Sequence, residues 1–271
     1  LRWPRRPYLA GLQPESTALH AFLLDADDDL AQELDAHTRI AARQLATARI
    51  LDAGVGECDL AAWFDAARQG PGLLILDGLV AFETRVGDRT ATELVGAGDL
   101  LQPPTERADD LLERRDGWRV LWPTRFALLD ADFAERIRRC PQIVQALLCR
   151  AGRRIADIDV LRAITCQPRL EVRLVLLFWH LAARWGKVEP AGLRVSLPLT
   201  HRLLGQLVGA ERPSVSHALG RLADAGLVTG PAIDLHLHGS LADHLETLTE
   251  RTNGIGEHPR EARRDPKRQL A

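Results

Sequence analysis

Apolar residues recur at helical spacing in two short adjoining stretches within residues 200–228, THRLLGQLVGAERPSVSHALGRLADAGLV. In the first, Leu203, Leu204, Leu207 and Val208 share one face. Thr200 is placed to cap its N-terminus, and Gly209, Ala210 and Glu211 make a turn. Pro213 suits the first position of a new helix, where the N–H it lacks has no partner to lose. This second helix is expected to bury Val215, Ala218, Leu219 and Leu222 and to close at Gly226. A rotation of about 100° per residue puts Pro213, Ser216, His217, Gly220 and Asp224 on the opposite side, with Ser214 and Arg221 on its flank. Arg212 stands at the positive end. An outward face of small, hydrogen-bonding residues led by Arg can enter a major groove, so the pattern predicts a helix-turn-helix.

Two core helices with a merely solvated outer side would show the same periodicity. Three details favour the groove-facing reading. Gly220 inside a helix costs about 1 kcal/mol against Ala, a cost explained if something must approach closely there. After Gly230-Pro231 the alternating run AIDLHLH reads as a hairpin, or wing, packed on the helix pair. The outward positions also lack the Glu–Lys pairs of an ordinary solvated helix.

Upstream the pattern changes twice. Residues 15–50 read as helical, with an acidic cluster at 25–29 (DADDD). The cluster lacks the Gly and Glu of a calcium loop, and it is expected to be a solvated helix start. From Gly70 short strands take over. An apolar run at 72–76 is followed by a predicted hairpin turn at Asp77-Gly78, an alternating stretch at 79–86 and a second turn at Gly87-Asp88. Residues 90–95, Gly96-Ala97-Gly98-Asp99-Leu100-Leu101 and 119–129 continue the series, which predicts a small antiparallel barrel or jelly roll.

Residues 131–165 are helical, interrupted at Pro141. Val144, Leu148, Ala151, Ile155, Ile158 and Arg162 then fall at 4-3-4-3-4 spacing, with Leu147, Leu161 and Ile164 alongside. This coiled-coil-like seam packs on a second copy, on the chain's own barrel, or on both, and Arg162 fits it awkwardly. Pro168 marks a boundary before an apolar helix at 171–185, in which His180 is read as a core or edge residue. A turn and a short strand pair are expected over 186–197. After Gly239, SLADHLETLTERTN reads as a short helix, and HPREARRDPKRQLA as a charged, disordered tail.

Over residues 171–239 the pattern is similar to the winged helix-turn-helix of the Crp/Fnr transcription regulators. The residues that carry it are the leucine-rich first helix, Gly209-Ala210, the run Arg212-x-Ser214-Val215-Ser216-x-Ala218-Leu219-x-x-Leu222, and Gly226-Leu227-Val228. The resemblance implies an α+β chain: N-terminal helices and an antiparallel β-barrel (jelly roll) of the cyclic-nucleotide-binding kind, a long dimerisation helix, and a C-terminal winged helix-turn-helix domain. The expected division is a sensor barrel at 15–133, the dimerisation helix at 134–167, the DNA-binding domain at 168–239 and the tail at 240–271.

The resemblance also implies a ligand cassette after Gly-x-Gly-Asp, with Gly-Glu for a ribose hydroxyl and Arg-Ser or Arg-Thr for a cyclic phosphate. This chain departs from it. Gln102-Pro103 stands in the Gly-Glu slot, two prolines remove backbone donors, and Arg107, Arg114 and Arg115 precede neither Ser nor Thr. Asp109, Asp110, Glu113 and Asp116 would repel an anion. No response to cAMP or cGMP through the usual cassette is therefore expected.

Composition narrows the class. The 271 residues allow two modest domains, and 46% hydrophobic with 27% charged residues is ordinary for a globular protein. Net charge is only −2, so DNA affinity must come from a local basic patch. Lys187 and Lys267 are the only lysines, a bias that reflects genome composition. The chain has no Met even at position 1, which suggests an alternative start codon or trimming. No apolar run approaches the roughly 20 residues of a membrane span, and the opening LRWPRRPYLAGL lacks the apolar core of a secretory signal, so a cytoplasmic location is expected.

Cys58, Cys140, Cys149 and Cys166 form no Cys-x-x-Cys pair and are read as buried or half-buried free thiols, with a redox role at Cys149 or Cys166 as the alternative. Asp234-x-His236-x-His238 could mimic a metal trio, yet no second cluster completes it; the polar face of a hairpin is expected, with no metal or cofactor. Residues 70–129 hold no His, and neither Gly-x-Ser-x-Gly nor a phosphate-binding glycine loop occurs, so no enzyme is expected.

The expected function is a homodimer that sets two recognition helices in successive major grooves of double-stranded DNA. Arg212 is the candidate for a direct base contact, Ser216 and His217 for base edges, and Ser214 and Arg221 for phosphates. Relatives with Arg-Glu-x-x-x-Arg on this helix read one half-site; Pro213 and His217 replace the Glu and second Arg here, which implies another preference. RNA polymerase is a candidate partner. The alternative is an allosteric sensor whose barrel binds a different small-molecule effector.

Overall fold

The computed structural model describes residues 19–32, 34–103, 111–190 and 192–253. Cassette residues Arg107, Asp109 and Asp110, and the tail after 253, lie outside them. The chain divides into two units, Leu1–Val160 and Leu161–Ala271.

In chain order the first unit contains β1 (His20–Phe22), α1 (Leu23–Ala26), α2 (Ala36–Leu45), β2 (Thr47–Ala53), β3 (Gly56–Cys58) and α3 (Ala61–Ala67). β4 (Gly72–Val86), β5 (Arg89–Gly96), β6 (Leu100–Leu101), β7 (Arg114–Leu129) and α4 (Ala131–Ile137) follow. The long α5 (Pro141–Thr165) crosses the boundary at 160. The strands form one seven-stranded sheet in the order β1-β2-β7-β4-β5, with β3 on β7 and β6 on β4. All these pairings are antiparallel, a jelly-roll-like path.

Strand alternation explains why β4 is apolar on both faces. Leu73 and Ile75 join Phe126, Leu128, Val80 and Phe64 in one core, while Leu74 and Leu76 join Ala127, Leu129, Phe133 and Leu147 in the other. One face is thus covered by α3 and the other by the N-terminal helices, α4 and α5.

Three expectations are corrected here. Asp77-Gly78 is not a hairpin turn, because β4 runs straight through it with register shifts against β7. Gly78 adopts φ +108, and a Cβ there would stand 2.3 Å from Thr124 Oγ1. The dipeptide supplies a positive φ, which serves a bulge as well as a turn. Gly87-Asp88 does form the turn between β4 and β5. Residues 15–50 are not one helical region, since only 36–45 is a long helix and 47–53 is a strand paired with β7. Nor is the acidic cluster simply solvated. Asp25 pairs with Arg43 at 2.6 Å, Asp28 with Arg39 at 2.8 Å, and Asp27 with the buried Arg150 at 2.6 Å.

The break at Pro141 is as expected, with Pro141 opening α5. Ile143, Leu147 and Arg150 are buried, whereas Val144, Leu148, Ile155 and Ile158 are exposed, Ile155 by 64%. The predicted seam therefore leaves its own unit on one side and presents an apolar stripe on the other.

The second unit contains α6 (Leu170–Trp185), β8 (Gly186–Glu189), β9 (Gly192–Val195), α7 (His201–Val208), α8 (Arg212–Asp224), β10 (Val228–Thr229), β11 (Leu235–Leu237) and α9 (Leu241–Asn253). Its sheet runs β10-β11-β9-β8. α6 supplies the core with Leu174, Val175, Leu177, Phe178 and Leu181, while His180 is half-buried. The short helix expected after Gly239 is α9. α9 packs on α6, with His244 fully buried, its Nδ1 accepting from Trp179 Nε1 at 3.3 Å and its Nε2 donating to the carbonyl of His238.

Cys140 is buried and Cys58 half-buried, where burial pushes its thiol up. Cys149 and Cys166 are exposed free thiols, against the expectation of burial. No described helix is long and apolar enough to cross a membrane.

Candidate nucleic-acid interface

Thr200 caps α7, its side chain accepting from the backbone N–H of Leu203 at 3.1 Å. Leu203, Leu204, Leu207 and Val208 are buried as their spacing requires. The helix ends at Gly209 with φ +67, and Arg173 of α6 donates to the carbonyl of Val208 at 3.2 Å. The chain then folds back so tightly that a Cβ on Gly205 would stand 2.4 Å from the Ala210 carbonyl oxygen. Gly205 is thus the residue on which this close return depends, and the apolar pattern alone gives it no distinction.

α8 begins at Arg212, one residue before the expected start, with Pro213 in its first turn. Val215, Ala218 and Leu222 are buried; Leu219, expected in the core, is half-buried. At the far end the Leu227 N–H bonds to the Leu222 carbonyl and the Gly226 N–H to that of Ala223, the double closure of a Schellman motif. β10 and β11 form the predicted wing, and β11 pairs with β9 as well.

Arg212, Pro213, Ser214, Ser216, His217, Gly220, Arg221 and Asp224 are all exposed. Apart from its own stretch of helix, no described atom lies within 4 Å of the place a Cβ on Gly220 would take. Ser216 Oγ donates to the Arg212 carbonyl at 3.2 Å and lies 2.7 Å from His201 Nδ1, so α7 and α8 meet at this hydroxyl. Arg212, Ser214 and His217 stand together on the first turns of α8. Arg221 is drawn aside: its Nε donates to Glu171 Oε1 of α6 at 2.5 Å, although the side chain stays 55% exposed. Partial burial of Glu171 opposes its ionisation, but backbone hydrogen bonding at the start of α6 and the Arg221 guanidinium outweigh it and hold the carboxyl below its ordinary value.

Three participants escaped the sequence reading. His201 and Glu171 each hold a candidate site residue, and Arg202 is an exposed cation at the start of α7. The only signal for His201 was its position directly after the cap.

Each of Asp234, His236 and His238 has another partner, although His236 Nε2 also lies 4.0 Å from Asp234 Oδ2. Asp234 accepts from Arg194 at 2.7 and 2.6 Å and from Ser196, contacts that hold its carboxyl well below the usual carboxylate range. His238 Nε2 lies 2.7 Å from Thr229 Oγ1, and His236 lies 3.7 Å from Glu189. Among the described residues no group of His, Cys, Asp and Glu could hold a metal ion.

Residues 172–248 match the family model described as the Crp-like helix-turn-helix domain. The C-terminal unit carries a Crp-like helix-turn-helix domain. No curated protein matches the chain by sequence. Among solved structures, a mutant of CooA from Carboxydothermus hydrogenoformans is similar, with TM-score 0.60, 16% identity and coverage of 83% of this chain and 94% of that one. FixK2 from Bradyrhizobium japonicum gives 0.56 at 13% identity, covering 74% and 96%. CLP from Xanthomonas campestris, described as a c-di-GMP responsive global regulator, gives 0.55 at 17% identity, covering 76% and 100%. At such identities the likeness establishes the fold. The resemblance to Crp/Fnr regulators is thus borne out over the Crp-like domain by sequence and over most of the chain by architecture.

Proposed function

We propose that the protein is a sequence-specific, DNA-binding transcription regulator that acts as a homodimer. The observation that carries this is the exposed face of α8. Arg212 leads it, small or hydrogen-bonding residues follow, and the Arg212 side chain forms no ion pair among the described residues. Arg212 reads a base, Ser216 and His217 meet base edges, and Ser214 and Arg221 hold phosphates. The exposed stripe Val144, Leu148, Ile155 and Ile158 supports a second copy of the chain as partner of α5. Selection of bound fragments from random duplex DNA, followed by footprinting of wild type and Arg212→Ala, tests the reading; a footprint unchanged in the variant overturns the role of Arg212.

The described arginines support independence from cAMP and cGMP. Arg114 pairs with Asp116 at 2.8 Å and Arg115 with Glu113 at 2.5 Å, so an anion approaching either cation would meet a carboxylate beside it. On α5, Arg150 is held by Asp27 and Arg154 by both oxygens of Glu93 at 2.9 Å. Calorimetry with either nucleotide is expected to show no binding, and DNA affinity is expected not to change.

A second reading is a sensor of another effector. A cavity of about 540 Å³ in the first unit, lined by His20, Arg49, Asp130, Asp132 and Arg136 among others, favours it, since it is built from β1, β2 and α4 rather than from the cassette. A ligand that raises the unfolding temperature of wild type but not of Arg49→Ala would place an effector there.

A further inference from the structure

From the meeting of α7 and α8 we infer that His201 makes Ser216 an acceptor-only reader, so that the base whose edge faces Ser216 is adenine or cytosine, the two that present an exocyclic amine (N6 or N4) in the major groove, and not guanine or thymine. The inference rests on the reading of α8 as the groove-facing helix and specifies its chemistry at one position.

A serine hydroxyl has one proton to donate and two lone pairs. At Ser216 both neighbours compete for that proton. His201 Nδ1 lies 2.7 Å from Oγ, and the Arg212 carbonyl lies 3.2 Å away on the same helix. Two arrangements satisfy these distances. In one, the Nε2–H tautomer of His201 leaves Nδ1 as acceptor; the hydroxyl donates to it and both Oγ lone pairs stay outward. In the other, Nδ1–H donates to Oγ and the hydroxyl donates to the Arg212 carbonyl, leaving one lone pair outward. Either way the proton is engaged within the protein and the exposed Oγ is left to accept; donating to a base would mean giving up the bond to His201 Nδ1 or to the Arg212 carbonyl.

In the major groove the donors are adenine N6–H₂ and cytosine N4–H₂; guanine O6 and N7 and thymine O4 are acceptors. An acceptor-only Oγ set against one of the latter would bring two lone pairs together. A free serine has no such bias, because its hydroxyl turns to suit either partner. His201 is therefore a positioning residue. It need not touch the base, yet it decides which edge Ser216 tolerates.

The test uses the full-length protein and synthetic duplexes carrying the site selected by wild type. At the base pair whose specificity is relaxed in Ser216→Ala, adenine is replaced by purine, or cytosine by pyrimidin-2-one, each lacking only the amine. Wild type is expected to lose about three- to tenfold in affinity on amine removal, the effect of one hydrogen bond. Ser216→Ala is expected to be indifferent. His201→Ala, compared with wild type at a temperature where circular dichroism shows both folded, is expected to accept an acceptor edge at that base and to lose most of the amine dependence. Wild-type binding unaffected by amine removal, or amine dependence undiminished in His201→Ala, overturns the inference while leaving the regulator reading intact. Absence of any sequence-selective binding by wild type overturns both.

Discussion

Arg150 donates to Asp27 at 2.6 Å across 123 residues of sequence, and its other amino group donates to the Gly98 carbonyl at 2.8 Å. With only 4% of its side chain exposed, one guanidinium fastens α5 both to the N-terminal acidic cluster and to the turn between β5 and β6. Arg150→Ala would strand a largely buried carboxylate. A loss of about 3–5 kcal/mol is expected in urea unfolding of the first unit. Replacing both partners by apolar residues is expected to cost clearly less, because no unpaired charge then remains.

Gly205→Ala asks the helix turn to admit a Cβ where the Ala210 carbonyl already sits at 2.4 Å. A cost of about 1–3 kcal/mol is expected for the Crp-like domain, read by chemical denaturation. Gly220→Ala is the control, since its Cβ would enter open space and Ala is the better helix former. Stability is expected to rise in that variant while DNA affinity falls, if the groove wall comes close there.

The apolar stripe of α5 predicts that assembly and folding separate. Leu148 and Ile155 are exposed by 60% and 64%, so glutamate at both positions leaves the core intact. Sedimentation equilibrium is expected to report a monomer for the double variant and a dimer for wild type. A dimer that survives both changes would remove this face of α5 from the interface.

The wing carries a pH signature. The Asp234 carboxyl is depressed, first by its bonds to Arg194 and then by Ser196. Its value in the folded chain lies below that of an unfolded Asp. The resulting contribution is therefore fully present above the unfolded value of about 3.9, and it is lost as pH falls through the folded one. Arg194→Gln is expected to return the Asp234 titration, followed by carboxyl NMR, toward the ordinary carboxylate range. An unmoved titration would show that Arg194 does not set it.

Where local spacing alone determines structure, the sequence was legible. The caps Thr200 and Gly226, the apolar faces of α7 and α8, and the break at Pro141 were all readable from single residues and their periods. Asp77-Gly78 misled because a positive φ is shared by turns and bulges, and only the length of the β7 partner strand decides between them. The acidic cluster misled for another reason. Its arginines lie 11 to 123 residues away, at distances no local pattern records. The same holds at the site. Arg212, Ser214 and His217 follow from the rotation of one helix, whereas the grip of His201 on Ser216 and of Glu171 on Arg221 spans 15 and 50 residues. Helical phase places side chains on a face, but it does not say which neighbour holds their protons.

The central claim is that the Arg212 end of α8 lies in a groove of duplex DNA. The most direct measurement is the affinity of wild type and Arg212→Ala for the site selected from random DNA, taken across a salt series. Wild type is expected to bind a palindrome whose half-sites are about 34 Å apart, with affinity falling steeply as salt rises. Arg212→Ala is expected to lose about 1–3 kcal/mol and to relax its preference at one base pair of each half-site. Wild type with no salt-sensitive preference for any duplex, or a variant with affinity and preference unchanged, would contradict it.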